Sequence, residues 1–186
     1  DSKYYAYSEK TAQEEIDNYK KYNLPLDNLV IDTDWRQSSS TGIGYDINTK
    51  LFPDMAGFLK KVHQQNIEVM FNDHPEPVSG TGSVLDVSEI DYRKENLTNL
   101  LEMGLDTWWY DRNWTTALKS PTPTTINHET WGMYLFHDIT KQHYQNQANN
   151  SQIYRRPVIM ANADNIYHGK YNGIKNSASH RYSLQW

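Results

Sequence analysis

Four short apolar runs in this chain each end in polar side chains that could do chemistry. The first ends in Asp32 and Asp34, and the second in Asn72, Asp73 and His74. The third ends in Asp111 and Arg112, and the fourth in Asn162 and Asp164. A carboxylate closing a buried apolar run is out of place unless something pairs it or uses it. Taken singly, such residues cap helices or tie loops. Four in series, with Trp35, Trp108, Trp109 and Trp114 close by in sequence, describe a site. Indole faces stack on sugar rings, and carboxylates and amides hydrogen-bond hydroxyls, so the set suits a carbohydrate. The rival chemistry is a divalent ion held by Asp73, His74 and the Asp32/Asp34 pair. No HExxH or paired-histidine spacing accompanies it. His63 and His143 fall inside helical patterns and read as surface residues.

The elements that would position these residues follow from the apolar periodicity. Ser8 caps a helix over residues 9–22, with Ala12, Ile16 and Tyr19 on one face. Pro25 ends it, and "NLVID" (28–32) reads as a buried strand. A Ser/Gly loop follows. Residues 52–66 form a helix through Met55, Phe58, Leu59 and Val62. Residues 67–72 make a second buried strand, and a long loop with prolines and glycines comes after it. A helix at 90–103 buries Ile90, Leu97, Leu100 and Leu101, and "DTWWY" (106–110) is the third strand. A helix at 128–147 carries Trp131, Leu135 and Ile139, "RPVIMAN" (156–162) is the fourth strand, and "RYSLQW" opens a fifth.

Strand and helix therefore alternate, which predicts a parallel sheet covered by helices. The long polar loops follow the strands and the short ones follow the helices. That asymmetry suits a barrel with its site at the strand C-terminal ends. A doubly wound open sheet is the rival, but no Gly-rich phosphate turn follows the first strand. Four or five strands do not close an eight-stranded barrel, so the chain reads as a fragment.

The totals narrow the partners. Hydrophobic residues make up 37% and aromatics 13%, with 14 Tyr and 6 Trp, which describes a globular chain with sticky surfaces. Net charge is −5 and no basic block occurs, which argues against nucleic acid. There is no cysteine, so disulfides and thiolate metal sites are excluded. No apolar run approaches the roughly 20 residues of a membrane span. The compartment and the oligomeric state are left open. Sequons at Asn96, Asn113 and Asn149 matter only in a secreted protein.

Four linked motifs carry a resemblance. "LPLDNLVIDTDWR", "LFPDMAGFLKKVHQQNIEVMFNDHP", "GLDTWWYDRNW" and "RPVIMAN…HRYSLQW" occur in that order. Together they resemble glycoside hydrolase family 31, the α-glucosidase and α-xylosidase family, over essentially the whole chain. The family's own versions read like "PLDVLVIDMDW", "LFPDPEAFLKWLHEQGLKVTLNLHP", "DFWWLDW" and "RPFILSRAG…RYAxxWTGD". The resemblance implies a (β/α)8 barrel, of which residues 1–186 hold about the second to fifth strands and the start of the sixth. It implies a part of the catalytic domain of a larger glycosidase.

It also implies a retaining exo-α-glycosidase that needs no cofactor and takes an oligosaccharide or glycoside. Asp111 stands at the family's nucleophile and Asp32 at the aspartate that holds the far hydroxyls of the terminal sugar. Trp109 and Arg112 flank the nucleophile, and Asp73 lies in the family's third-strand segment with His74. A retaining enzyme needs a carboxylate aimed at the anomeric carbon and a protonated carboxyl about 5–5.5 Å away across the bond. Arg112 would help keep Asp111 ionised among aromatic rings; the plainer reading of the pair is a surface ion pair closing a loop. Two departures follow. The family's general acid sits in "WTGD", and the present sequence reaches Trp186 where that acid would follow. The family's Arg in "RPFILSR" is Asn162 here, which makes room near the sugar's 2-position and suits an α-N-acetylgalactosaminidase-like or α-galactosidase-like specificity. The alternative is a catalytically inactive, carbohydrate-binding relative.

Overall fold

A computed structural model of the chain describes residues 5–38, 43–78, 83–111, 118, 128–151, 155–161 and 182–184. Helix α1 (Glu9–Lys21) starts at Ser8, whose hydroxyl accepts from the Thr11 amide while the Thr11 hydroxyl accepts from the Ser8 amide. There follow β1 (Asn28–Ile31), α2 (Met55–His63), β2 (Glu68–Asp73) and α3 (Val87–Met103). The last described elements are β3 (Thr107–Tyr110), α4 (His128–Ser151), β4 (Ile159–Ala161) and β5 (Tyr182–Leu184). The chain turns from helix to strand through left-handed backbone at Asn23 and Asn66 and through Gly104 at φ 120°. These are the compact helix-to-strand returns before β1, β2 and β3.

The strands lie in sequence order, and β1 to β4 are parallel neighbours. This is the parallel sheet that the alternation predicts, and part of the (β/α)8 barrel that the resemblance implies. The fifth strand departs from that prediction. It runs antiparallel to β4, pairing Ile159 with Leu184 and Ala161 with Tyr182. An antiparallel edge strand satisfies the open backbone groups of β4 without a crossover helix.

Side chains alternate across the sheet. One set faces the helices: Leu29, Ile31, Val69, Phe71, Trp108, Tyr110 and Ile159 all belong to the hydrophobic core with Phe58, Leu97 and Phe136. Trp108 and Tyr110 meet Phe136 of α4 edge to face, with centroids 5.7 and 5.0 Å away. Tyr110 fits because Gly132 of α4 is bare there; a Cβ on Gly132 would stand 1.8 Å from the phenol oxygen. The other set comprises Val30, Met70, Asn72, Trp109 and Met160, in register across the four strands and facing the barrel interior.

Two expectations change here. On α3 the buried stripe runs through Glu89, Arg93, Leu97, Leu100 and Leu101, and Ile90 is only half-buried. His143 is 8% exposed rather than a surface residue. His63 keeps the expected surface position, 37% exposed at its side chain, and also hydrogen-bonds Asp106 at the base of β3 at 2.8 Å.

Candidate active site

The C-terminal ends of β1, β2 and β3 bring Asp32, Asn72, His74 and Asp111 together. Asp32 leaves β1 as the cap of a single 3-10 turn, Thr33–Trp35, its Oδ1 accepting from the Thr33 amide at 2.8 Å. The same oxygen accepts from Asn72 Nδ2 at 2.7 Å. That nitrogen also lies 3.4 Å from Asp111 Oδ2, and His74 Nε2 lies 3.0 Å from the same Oδ2. The Asp111 amide donates to Asp73 O at 2.9 Å, which carries the parallel ladder one residue past β3. Asp111 and His74 keep side-chain exposures of 13% and 17%, so the cluster reaches the surface at its upper end.

A second polar cluster lies on the helix-facing side. Asp73 is fully buried. It accepts from Arg36 Nη1 at 2.8 Å on one oxygen and from the Tyr45 hydroxyl at 2.5 Å on the other. Arg93 Nη1 donates to that hydroxyl at 2.7 Å and Nη2 to the Glu76 carbonyl, and its partner across a helical turn is Glu89, at 3.5 Å. Glu89 in turn accepts from the Val78 amide. Two guanidiniums thus face two carboxylates in a dry pocket, the pairing that buried charge requires. Burial pushes the Tyr45 phenol well above its ordinary range; Arg93 opposes that rise and Asp73 adds to it. The hydroxyl therefore stays protonated and donates. The network ties the loop after β1, the loop after β2 and α3 into one unit, and Arg36 also reaches the His74 carbonyl at 3.5 Å.

Of the residues expected from the sequence, Asp32 and Asp111 meet through Asn72. Asp73 points away from them, because strand alternation sends it to the face opposite Asn72; His74, the next residue, reaches Asp111 instead. Trp109 shares the inner face with Asn72, its register partner, but is 1% exposed and forms a wall rather than an open stacking platform. Trp35 and Trp108 are core residues: Trp35 stacks on Phe71 with centroids 4.7 Å apart and donates to the Asn72 carbonyl at 2.7 Å. Arg112, Asn162, Asp164 and Trp114 lie outside the described residues. Asp34 stays half-buried beside the cluster, its carbonyl accepting from Asn48. Arg36 closes the first motif without an assigned role, and Tyr45 and Arg93 lie outside the motifs; the one signal for the three is that a buried Asp73 demands cationic or hydroxyl partners. Among the described residues no three His, Asp or Glu side chains converge as a metal-ligand set. No helix among them is long and apolar enough to cross a membrane.

Residues 1–83, which carry β1, β2, Asp32, Asn72 and His74, match the TIM-barrel domain of the glycosyl hydrolases family 31. That match covers 83 of the chain's 186 residues, just under half. The family is the one the motifs resemble. The family 31 α-xylosidase of Xanthomonas citri superposes with a TM-score of 0.56 at 16% identity, covering 84% of this chain and 21% of its own. A family 31 dextranase of Flavobacterium johnsoniae, solved with isomaltotriose, gives 0.58 at 12% identity, covering 85% and 24%. A xylosidase from Aspergillus niger gives 0.54 at 14% identity, covering 84% and 29%. At these identities the likeness shows the fold. The chain spans between 21% and 29% of the length of these three barrels' chains. None of the curated proteins matches it.

Proposed function

We propose that this family 31 segment carries the nucleophile half of a retaining exo-α-glycosidase site. The observation that carries the reading is the placement of Asp111. It ends β3 at the mouth of the barrel, on the face of Asn72 and Trp109, with Oδ2 engaged by Asn72 and His74. A carboxylate whose one oxygen is held by two donors presents its other oxygen in a fixed direction, which is what attack on an anomeric carbon requires.

In the reaction, Asp111 Oδ1 forms a bond to the anomeric carbon as the glycosidic C–O bond breaks. The leaving oxygen takes a proton from a second carboxyl group, which the family resemblance puts beyond residue 186. The glycosyl ester is then opened by water, deprotonated by that same carboxylate, and Asp111 is released as carboxylate with retained configuration. Asp32 is assigned to the far hydroxyls of the terminal sugar, Trp109 and Arg112 to the pocket wall, and Asn162 to the 2-position. In that assignment Asp73 supports the site from behind. Room at Asn162 suits a 2-acetamido sugar or a galactoside. The sugar-bound state of the Flavobacterium dextranase supports a carbohydrate as substrate.

The test is chromophore release from a panel of aryl α-glycosides by the complete gene product, with Asp111→Ala alongside. Release from one sugar that disappears in the variant supports the reading and names the substrate. No release from any sugar, or equal release by both proteins, favours the carbohydrate-binding alternative or another nucleophile.

A further inference from the structure

We infer that Asn72 is a positioning residue that fixes the nucleophile Asp111 relative to the sugar-holding Asp32. The inference rests on the proposed roles of those two carboxylates. Asp32 and Asp111 stand on strands that are not neighbours; β2 runs between them, and Asn72 is the inner-face residue of β2 at that height. Its Nδ2 lies 2.7 Å from Asp32 Oδ1 and 3.4 Å from Asp111 Oδ2.

The chemistry of the amide explains why asparagine suits this position. Two acceptor-only carboxylates share its polar side, so the side that meets them must be the NH2 group, whose two protons serve one carboxylate each. A hydroxyl has one proton and would serve one of them. A carboxyl here would add a third like charge. The orientation leaves Asn72 Oδ1 buried with no hydrogen-bond partner among the described residues, although the residue is 1% exposed. A sequence selected for stability alone would not keep a buried acceptor without a donor; such conflicts gather at functional sites. The backbone at this point is also pinned, by the indole of Trp35 on the Asn72 carbonyl. The amide therefore has a fixed base from which to hold two side chains.

On the proposed reading, the Asp32–Asp111 separation must match one sugar ring, from its far hydroxyls to its anomeric carbon. Loss of the bridge lets Asp111 turn in its pocket while Asp32 still meets the sugar. Turnover then suffers more than binding.

The complete gene product, with the glycoside that wild type cleaves, provides the test. Asn72→Leu is expected to lower kcat about 100-fold, the scale for loss of one preorganised donor, with KM within about threefold. Its melting temperature should fall only modestly, because loss of the lone acceptor offsets part of the lost donor and Asp32 and Asp111 keep the Thr33 amide and His74. Asn72→Ser, which keeps one donor, should recover part of the loss and serves if the leucine variant does not fold. Unchanged kcat in either variant would overturn the inference. So would a kcat loss that disappears in both variants when they are assayed well below their melting temperatures. Asp111→Ala separates this from failure of the proposed function: if that variant stays active the nucleophile is wrong, and if it is dead while Asn72→Leu is not, only the bridge is wrong.

Discussion

His74 Nε2 lies 3.0 Å from Asp111 Oδ2, which joins the loop after β2 to the end of β3 across the mouth of the barrel. The backbone of His74 is tied as well. Its own carbonyl is reached by Arg36, which is itself buried against Asp73. His74 is thus held from behind and meets the carboxylate in front. If Asp111 attacks, a donor on Oδ2 both aims the carboxylate and disperses its charge until the bond forms.

Replacing His74 by Ala should therefore lower kcat on an aryl α-glycoside by roughly 10²-fold. His74→Gln, which offers an amide donor of similar reach, should lose less, and added imidazole should restore part of the alanine variant's rate. Initial rates at saturating substrate check this. A His74→Ala enzyme with wild-type kcat, or one that imidazole leaves unchanged while glutamine is no better, would show that the contact is incidental.

The pair behind the site should behave differently. Arg36 and Asp73 are almost wholly buried, 2.8 Å apart. Removing one charge leaves the other in a medium that solvates it poorly, which costs about 3–5 kcal/mol. Arg36→Met is expected to lose stability on that scale, with the lost activity returning under stabilising conditions. Asp73→Asn, which keeps the shape and can still accept from Tyr45, should lose less. Chemical denaturation alongside Michaelis–Menten kinetics separates support from contact. If Asp73→Asn keeps its denaturation midpoint but raises KM tenfold or more, Asp73 binds substrate directly.

Much of this molecule was legible because its local signals agree. Ser8 with Thr11, and the apolar spacing of Met55, Phe58, Leu59 and Val62, specify helices wherever the chain goes next. The runs through Val30, Met70 and Trp108 are apolar on both faces, as strands covered on both sides must be. The family motifs point to Asp32 and Asp111 among the polar residues at the strand ends, and the structure brings these two to opposite sides of Asn72. What stayed hidden depended on direction. Asp73 and His74 are adjacent, and one step along a strand exchanges the core face for the barrel face, so a one-residue uncertainty in register misassigns the site completely. The salt-bridged stripe of Glu89 and Arg93 was hidden for a related reason. Charged residues count as solvent-facing in any periodicity argument, and only the three-dimensional approach of Asp73 and Tyr45 makes their burial affordable. The antiparallel course of β5 was likewise not written in "RYSLQW", which specifies a strand but no direction.

His143 gives a pH dependence whose sign follows from its burial. It sits on α4, 8% exposed, with Tyr144 beside it at a ring distance of 5.5 Å and Lys94, Thr98 and Glu102 of α3 across the groove. Nε2 is buried with no partner among the described residues. Burial lowers its pKa from the ordinary 6.5, and the Glu102 carboxylate opposes that only in part. The folded protein therefore prefers the neutral ring, while the unfolded chain takes up a proton near pH 6.5. Since the unfolded state binds more protons below that pH, His143 contributes stability above it and loses that contribution as the pH falls through the folded value. His143→Gln removes the titration while keeping a polar group of similar size. The stability difference between wild type and His143→Gln should shrink on moving from about pH 7.5 to about pH 5.5, the range in which histidine titrates. Thermal midpoints of both proteins at the two pH values measure it. A difference that grows on acidification would mean that Glu102 outweighs burial and that the folded state prefers the imidazolium, and a constant one would mean that the two cancel.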